Sequence, residues 1–287
     1  MASRASSRQP STRNLGRLLA QLPVGLKIGA GILGFILLMV LVSVLYPVDP
    51  NATTTNRLAG LGTPGHPLGT DILGRDTLAR VLGGAANALY VGIIAVGIGL
   101  SLGLVIGVIA GYFGGWFDQI LAVFTETLYA LPALLIALLF AAIFNPGITT
   151  SMVAIGLAAV PAFARLARAS VLSVKALPYI EAARALGVGN LRIMLRHVLP
   201  NIIGPLVVQA SLAFAASILA EAALSYLGLG TQPPDPSWGR MLREGQQYQE
   251  LAPFPTVFPG IAIGIAVLGF NLLGDGLRDW LDPRKRS

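Results

Sequence analysis

Cysteine is absent from this 287-residue chain, and histidine occurs only twice. The missing cysteines exclude disulfides and thiolate metal sites. With so few histidines, a His/Cys metal centre within the chain is not expected. Lysine is nearly as scarce. Lys27, Lys175 and Lys285 all lack the glycine frame and the following Ser or Thr of a phosphate-binding loop, so no nucleotide site of that kind is present. No HExxH pattern or hydrolase triad is available either, and no catalytic residue is assigned. Charge as a whole is sparse, at 11% of residues, where a soluble domain carries about 25%.

Apolar residues fill the space that charge leaves. They make up 54% of the chain, with a mean hydropathy of +0.72. Six apolar stretches, near 28–46, 88–111, 118–141, 148–167, 202–224 and 254–274, are long enough to cross a hydrocarbon core of about 30 Å. Lipid offers no partner to a free backbone group, so each is expected to be a helix. The first 27 residues are rich in Ser and Arg. The run behind them is longer than a signal-peptide core and lacks a cleavage site, so a retained first span is expected. The fold class is therefore an all-α polytopic membrane protein with six transmembrane helices.

The basic residues set its orientation. Fifteen of the twenty Lys and Arg fall in residues 1–27, in the 165–201 region or in the tail after the last span. Positive residues stay on the cytoplasmic side, so both termini are expected there. The organisation that follows is a basic cytoplasmic tail (1–27), a first span (28–46) and an outer segment with a short surface helix (47–87). A five-helix core (88–275) and a cytoplasmic tail (276–287) complete it. Within the core, 178–200 form a cytoplasmic loop and 225–253 an outer segment. The basic Arg284-Lys285-Arg286 suits anionic headgroups; membrane lipid is an expected partner and nucleic acid is not.

Several local patterns carry more detail. Gly99, Gly103, Gly107 and Gly111 recur every four residues, which predicts a seam for close approach of a neighbouring helix. Gly99-Leu-Ser-Leu-Gly103 also matches the G-x-S-x-G hydrolase pattern, but that pattern needs a strand-to-helix turn, and this one lies inside an apolar helix. Glu126 falls roughly 12 Å along its helix from Asp118. An ionisable group at that depth either lines a pathway or makes an intramembrane hydrogen bond. Glu221, within the fifth apolar stretch, invites the same two readings.

The most polar long segment in the apolar part of the chain is Pro178–Asn201. Pro178 fits a first helical position, Glu181 the first turn, and Ala182, Ala183 and Ala185 favour a helix with a smooth face. Gly187 is placed to end that helix. Asn190 is a candidate cap for a second, with Leu191, Met194, Leu195 and Val198 as an apolar stripe and Pro200 as its stop. Two short helices at an angle, joined by glycine, suit either a plug for a partner's groove or a pair of helices resting on lipid.

Glu181-Ala182-Ala183, Gly187, Ile193, Leu199 and Pro200 resemble the EAA motif of type I ABC-importer permeases. His66-Pro67-Leu68-Gly69-Thr70-Asp71 through Asp76, Glu221 through Gly230, Pro234 through Gly239 and Asn271 through Pro283 are similar to segments of the dipeptide/oligopeptide/nickel branch, and within it to the C-type subunit. The resemblance implies the MetI-like transmembrane fold. It implies ATPase coupling through Glu181, Ala182, Ala183, Gly187, Leu199 and Pro200. It also implies a homologous second permease, two ABC ATPase subunits or domains, and an extracytoplasmic solute-binding protein, which Trp238, Arg240 and Arg243 are candidates to contact. ATP and Mg would be bound by the partners, with no cofactor or metal in this chain, and the location would be a bacterial inner or plasma membrane. Peptides are the expected cargo, with nickel, glutathione, haem or another small solute as alternatives. A stand-alone secondary transporter or channel is the competing class, but the inverted repeats usual there are not evident. One departure stands out. The family usually has Arg and Asp where this chain has Val123 and Glu126, so Glu126 lacks the cation expected beside it in sequence.

Overall fold

A computed structural model describes residues 22–281, and among them all regular structure is helical. Ten helices are labelled in chain order. They are α1 (Val24–Leu45), α2 (Thr77–Phe113), α3 (Gly115–Ala130), α4 (Ala133–Phe144), α5 (Ile148–Lys175), α6 (Pro178–Ala185), α7 (Asn190–Ile193), α8 (Leu199–Leu227), α9 (Trp238–Gln246) and α10 (Phe254–Leu281). A π turn, Met194–Val198, joins α7 to α8. Of the expected tails, 1–21 and 282–287 lie outside the described residues, while 24–27 belong to α1 and 276–281 to α10, so both helices run further than the apolar stretches alone suggest.

Five helical units are long and apolar enough to cross a membrane: α1, α2, α5, the continuous Asn190–Leu227 and α10. The third expected span, 118–141, is not one helix. It is α3 and α4, bent by 86°. The cause is Leu131-Pro132. A residue before proline is pushed out of the helical region, and Leu131 sits at φ −84°, ψ 128°. Only if this pair counts as one span does the total reach six.

The glycine seam forms as its spacing predicts. A Cβ on Gly103 would lie 2.5 Å from Phe163 Cβ, and one on Gly107 would lie 2.3 Å from the Ala164 carbonyl oxygen. The seam thus locks α2 to α5, and Gly156 of α5 returns the contact against Ile98. A second close approach joins α1 to α10, where Gly29 meets the Leu273 backbone and Gly276 meets that of Leu26.

At one end of the bundle, residues 47–76 fold as a compact irregular segment. Gly69 and Gly74 both have positive φ, and a side chain on either would strike the carbonyl oxygen of Ala59 or Thr54. The short surface helix expected within this region does not stand alone. Residues 72–73 form a turn, Asp76 makes an isolated bridge to Thr70, and the helix that begins at Thr77 runs unbroken to Phe113. Asp76 explains the start, since its carboxylate accepts from the Ala79 N–H at 2.7 Å, satisfying an orphan donor of the first turn. Helix α9 lies against the same end of the bundle.

Candidate functional site

At the opposite end, the chain leaves α5 and makes the loop 176–198. Leu177 is extended and Pro178 starts α6, whose first turn holds Glu181. Gly187 has φ +78°. Its N–H donates to the Arg184 carbonyl and the Val188 N–H to that of Ala183, at 3.0 and 3.1 Å. This paired geometry ends a helix on a left-handed residue, so glycine is required there.

The second helix departs from expectation in three ways. Its N-cap is Gly189, not Asn190, whose carboxamide oxygen instead accepts from the Tyr112 hydroxyl at 2.9 Å. Of its expected apolar stripe, Val198 is fully buried and Met194 packs beside it, but Leu191 and Leu195 are exposed and Ile193 takes the other inward place. Pro200 does not stop it, because the π turn carries the chain into α8. A proline ring disrupts the bonding of the preceding helical turn, and local π geometry absorbs that. Here the Leu199 N–H reaches back to the Met194 carbonyl, and the Asn201 side chain donates to the His197 carbonyl at 2.6 Å.

The loop is anchored from within. Val171, Val174, Ile180, Ile193, Val198 and Ile202 form one apolar cluster with Tyr112. Tyr112 is 4% exposed. Besides holding Asn190, it receives the Lys175 ammonium on its backbone carbonyl at 2.6 Å and the Arg184 guanidinium over its ring at 5.8 Å. The residue at the end of α2 therefore ties both halves of the loop to the glycine seam. The outward face is different. Glu181, Ala182, Gly187 and Pro200 are exposed, while Ala183 and Leu199 are partly buried. Leu186 is 83% exposed, and Leu191, Arg192, Leu195 and Arg196 line an open groove of about 350 Å³. Apolar side chains are thus held outward on a rigid base, beside two arginines.

At the other end, a charge cluster joins the two expected outer segments. Arg75 donates to Asp71 at 2.6 Å and to Glu244 at 2.5 Å, Arg80 reaches Glu244 at 3.3 Å, and Arg240 donates to Glu244 at 2.6 Å. Burial works to raise the Glu244 carboxyl. The Arg240 hydrogen bond and the charges of Arg80, Arg75 and Arg240 outweigh it and hold the group below its usual range. Arg243 is exposed beside this cluster and, with Arg75, Arg240 and Glu244, borders a cavity of about 380 Å³. Trp238 does not share that exposure. It is 2% exposed, and its indole N–H donates to the Val81 carbonyl at 2.9 Å, so it serves packing and is closed to an external partner.

Glu221 is enclosed as well. One of its carboxylate oxygens accepts from Ser225, Thr231 and Ser237 at 2.7, 3.1 and 2.9 Å. Of its two readings, the intramembrane polar tie describes it. Glu126 is exposed, lining a cavity between α2, α3 and α5 with Arg165 and Arg168. The two arginines of α5 thus share its cavity without an ion pair to it. Sequence reasoning missed Tyr112 and Arg165, although an aromatic at a span end and an arginine one turn inside another are visible signals.

A family model described as the inner membrane component of binding-protein-dependent transport systems matches residues 103–287. This chain belongs to that family. Among its relatives, the dipeptide transport system permease protein DppC of Alkalihalophilus pseudofirmus is 42% identical over 81% of this chain and 76% of its own length. The glutathione transport system permease protein GsiD of Pectobacterium atrosepticum is 42% identical over 88% of this chain and 86% of its own. GsiD of Shigella flexneri reaches 47% over 76% and 72%. Among solved structures, the inward-facing MetNI methionine ABC transporter matches with TM-score 0.58 at 19% identity, over 71% of this chain and 97% of that one. An amino acid ABC transporter gives 0.53 at 20% identity, over 68% and 91%. The chain is a multi-pass inner-membrane permease subunit of an ABC importer with the MetI-like fold. Its nucleotide chemistry lies in ATPase partners, and it is itself not an enzyme.

Proposed function

We propose that this permease forms half of the pathway of a peptide importer, six spans with both termini in the cytoplasm, paired with a homologous permease. The bent α3–α4 unit supplies the third span. Residues 28–46 form the first span, 88–275 carry the five-span core, and 47–87 and 225–253 face outward. The loop 178–200 docks into the ATPases through Glu181, Ala182, Ala183, Gly187, Leu199 and Pro200. Arg240 and Arg243 meet the solute-binding protein, and the pathway charge is Glu126. Peptide cargo is supported by relatives named for dipeptide and for glutathione, itself a small peptide.

One observation carries the coupling role. The loop turns Leu186, Leu191 and Leu195 outward, while Tyr112 and the cluster around it fix the base to α2, α5 and α8. A pair of helices built to rest on lipid has no need of so rigid a base. A loop that must convert ATPase closure into movement of spans does. ATP binding would draw the two loops of the permease pair together, and the seam-locked α2–α5 unit would follow as one body.

The experiment is to express the chain with its neighbouring subunits and ask whether an ATPase copurifies. Gly187→Leu places a side chain at φ +78°, and Glu181→Lys reverses a charge on the exposed first turn. Both are expected to lower peptide uptake at least about tenfold while ATP hydrolysis continues, a loss of roughly 1.4 kcal/mol or more of coupling. Tight coupling retained in both variants would remove the docking role.

A further inference from the structure

The cavity between α2, α3 and α5 has a volume of about 230 Å³. One water needs about 10–15 Å³ of such space, so this is room for a small solute. Most of its wall is apolar. Its charged groups are Glu126 of α3 and Arg165 and Arg168 of α5.

Arg168 is already engaged. Its Nε and Nη2 donate to the two carboxylate oxygens of Asp118 at 2.5 and 2.6 Å, a two-pronged pair that neutralises both. Arg165 is held differently, with its guanidinium carbon 4.2 Å from the centre of the Tyr129 ring. Stacking uses the face of the guanidinium and leaves its edge donors free. Among the described residues, neither Glu126 nor Arg165 closes an ion pair. One negative and one positive group thus line the same open cavity, both exposed in this chain and with no ion pair between them, while the Arg168 charge also acts on Glu126. An ionisable group within a span marks a solute path, and a ligand that matches both groups must carry an anion and a cation of its own.

We propose that this cavity is a binding site for the zwitterionic ends of a short peptide. Glu126 takes the free α-amino group, Arg165 takes the α-carboxylate edge-on, and Tyr129 fixes the guanidinium plane. The Asp118–Arg168 pair forms a neutral floor. Pro161 and the half-helix α3 shape the apolar remainder, which tolerates varied side chains. The inference rests on the reading that this chain lines a peptide pathway, and it gives that path a chemical preference of its own.

The test uses the whole transporter in lipid nanodiscs, without the solute-binding protein. Equilibrium binding of radiolabelled dialanine is compared with N-acetyl-dialanine, which lacks the cation, and dialanine amide, which lacks the anion. The unmodified zwitterion is expected to bind at least about tenfold more tightly than either, the scale of one lost charge-assisted hydrogen bond. Glu126→Gln should abolish the preference over the acetylated form but keep that over the amide. Arg165→Gln should do the reverse. Copurification with the ATPases checks that each variant is assembled, and Tyr129→Leu, which removes no charge, should weaken the carboxylate preference alone. Equal binding of the three ligands, no binding of any, or preferences untouched by the substitutions would overturn the site. Peptide uptake with the binding protein present is read separately. Uptake by wild type with no zwitterion preference sinks the site and leaves the importer standing. The preference without any peptide uptake does the opposite.

Discussion

Glu244 shows how much one residue can organise. It stands among Arg75, Arg80 and Arg240, and its carboxylate is the shared acceptor that lets three guanidiniums sit within one cluster. Glu244→Gln leaves those cations facing one another, partly out of water. Removing one partner of a buried pair costs about 3–5 kcal/mol. Glu244 keeps some solvent contact, so a loss nearer the lower end, about 3 kcal/mol, is expected. The sign with pH follows from linkage. A carboxyl held below its ordinary value of 4.5 stabilises the fold above that pH. The contribution fades as pH falls through the depressed value, because protonation then removes the charge that the arginines hold. The melting temperature of wild type should therefore exceed that of Glu244→Gln at pH 7, and the gap should narrow as pH falls below 4.5 and through the depressed value. A gap unchanged between pH 7 and pH 3 would show that the carboxylate charge is not what joins the two segments.

Helix packing turns on the face each glycine occupies. Gly97 and Gly107 lie in the same helix, α2, yet their surroundings are opposite. A Cβ at Gly97 meets nothing within 4 Å, whereas one at Gly107 meets the Ala164 carbonyl oxygen at 2.3 Å and Ala167 Cβ at 2.6 Å. Gly97→Ala is expected to stabilise the isolated chain by up to about 1 kcal/mol through helix propensity. Gly107→Ala should destabilise it by about 1–3 kcal/mol through overpacking against backbone that cannot yield. Thermal unfolding of the two variants in detergent should move in opposite directions, and equal shifts would contradict the seam. This seam was readable from four-residue spacing alone. The bend after Leu131 had a signal in Pro132, but the apolar run through residues 118–141 conceals a break from any count of hydropathy, and a single span was expected there. The passage of α8 through Pro200 was not readable. It depends on a π turn and on the Asn201 amide at the His197 carbonyl, a local solution that no spacing rule encodes.

For the whole molecule, composition made the membrane legible and the spread of basic residues gave an expected sidedness, while the docking role proposed for the loop came from its resemblance to the EAA motif. The join between the outer segments was hidden, because Arg75 and Glu244 are 169 residues apart in the chain and only tertiary contact pairs them. Sidedness itself is open to a clean measurement. The chain has no cysteine, so a single introduced thiol is the only one a maleimide can find in it. Leu186 is 83% exposed on the loop, and Leu251 is 79% exposed at the other end. With both termini in the cytoplasm, a membrane-impermeant maleimide should reach Leu251→Cys in intact spheroplasts and leave Leu186→Cys unlabelled. In inverted vesicles the pattern should reverse. Stripping the ATPases should then raise the labelling rate at Leu186→Cys, and adding them back should lower it, since a docked partner must cover an exposed leucine that lipid would leave in place. Labelling of Leu186→Cys from outside would overturn the topology. Correct sidedness with no protection by the ATPases would keep the topology and remove the loop from the docking interface.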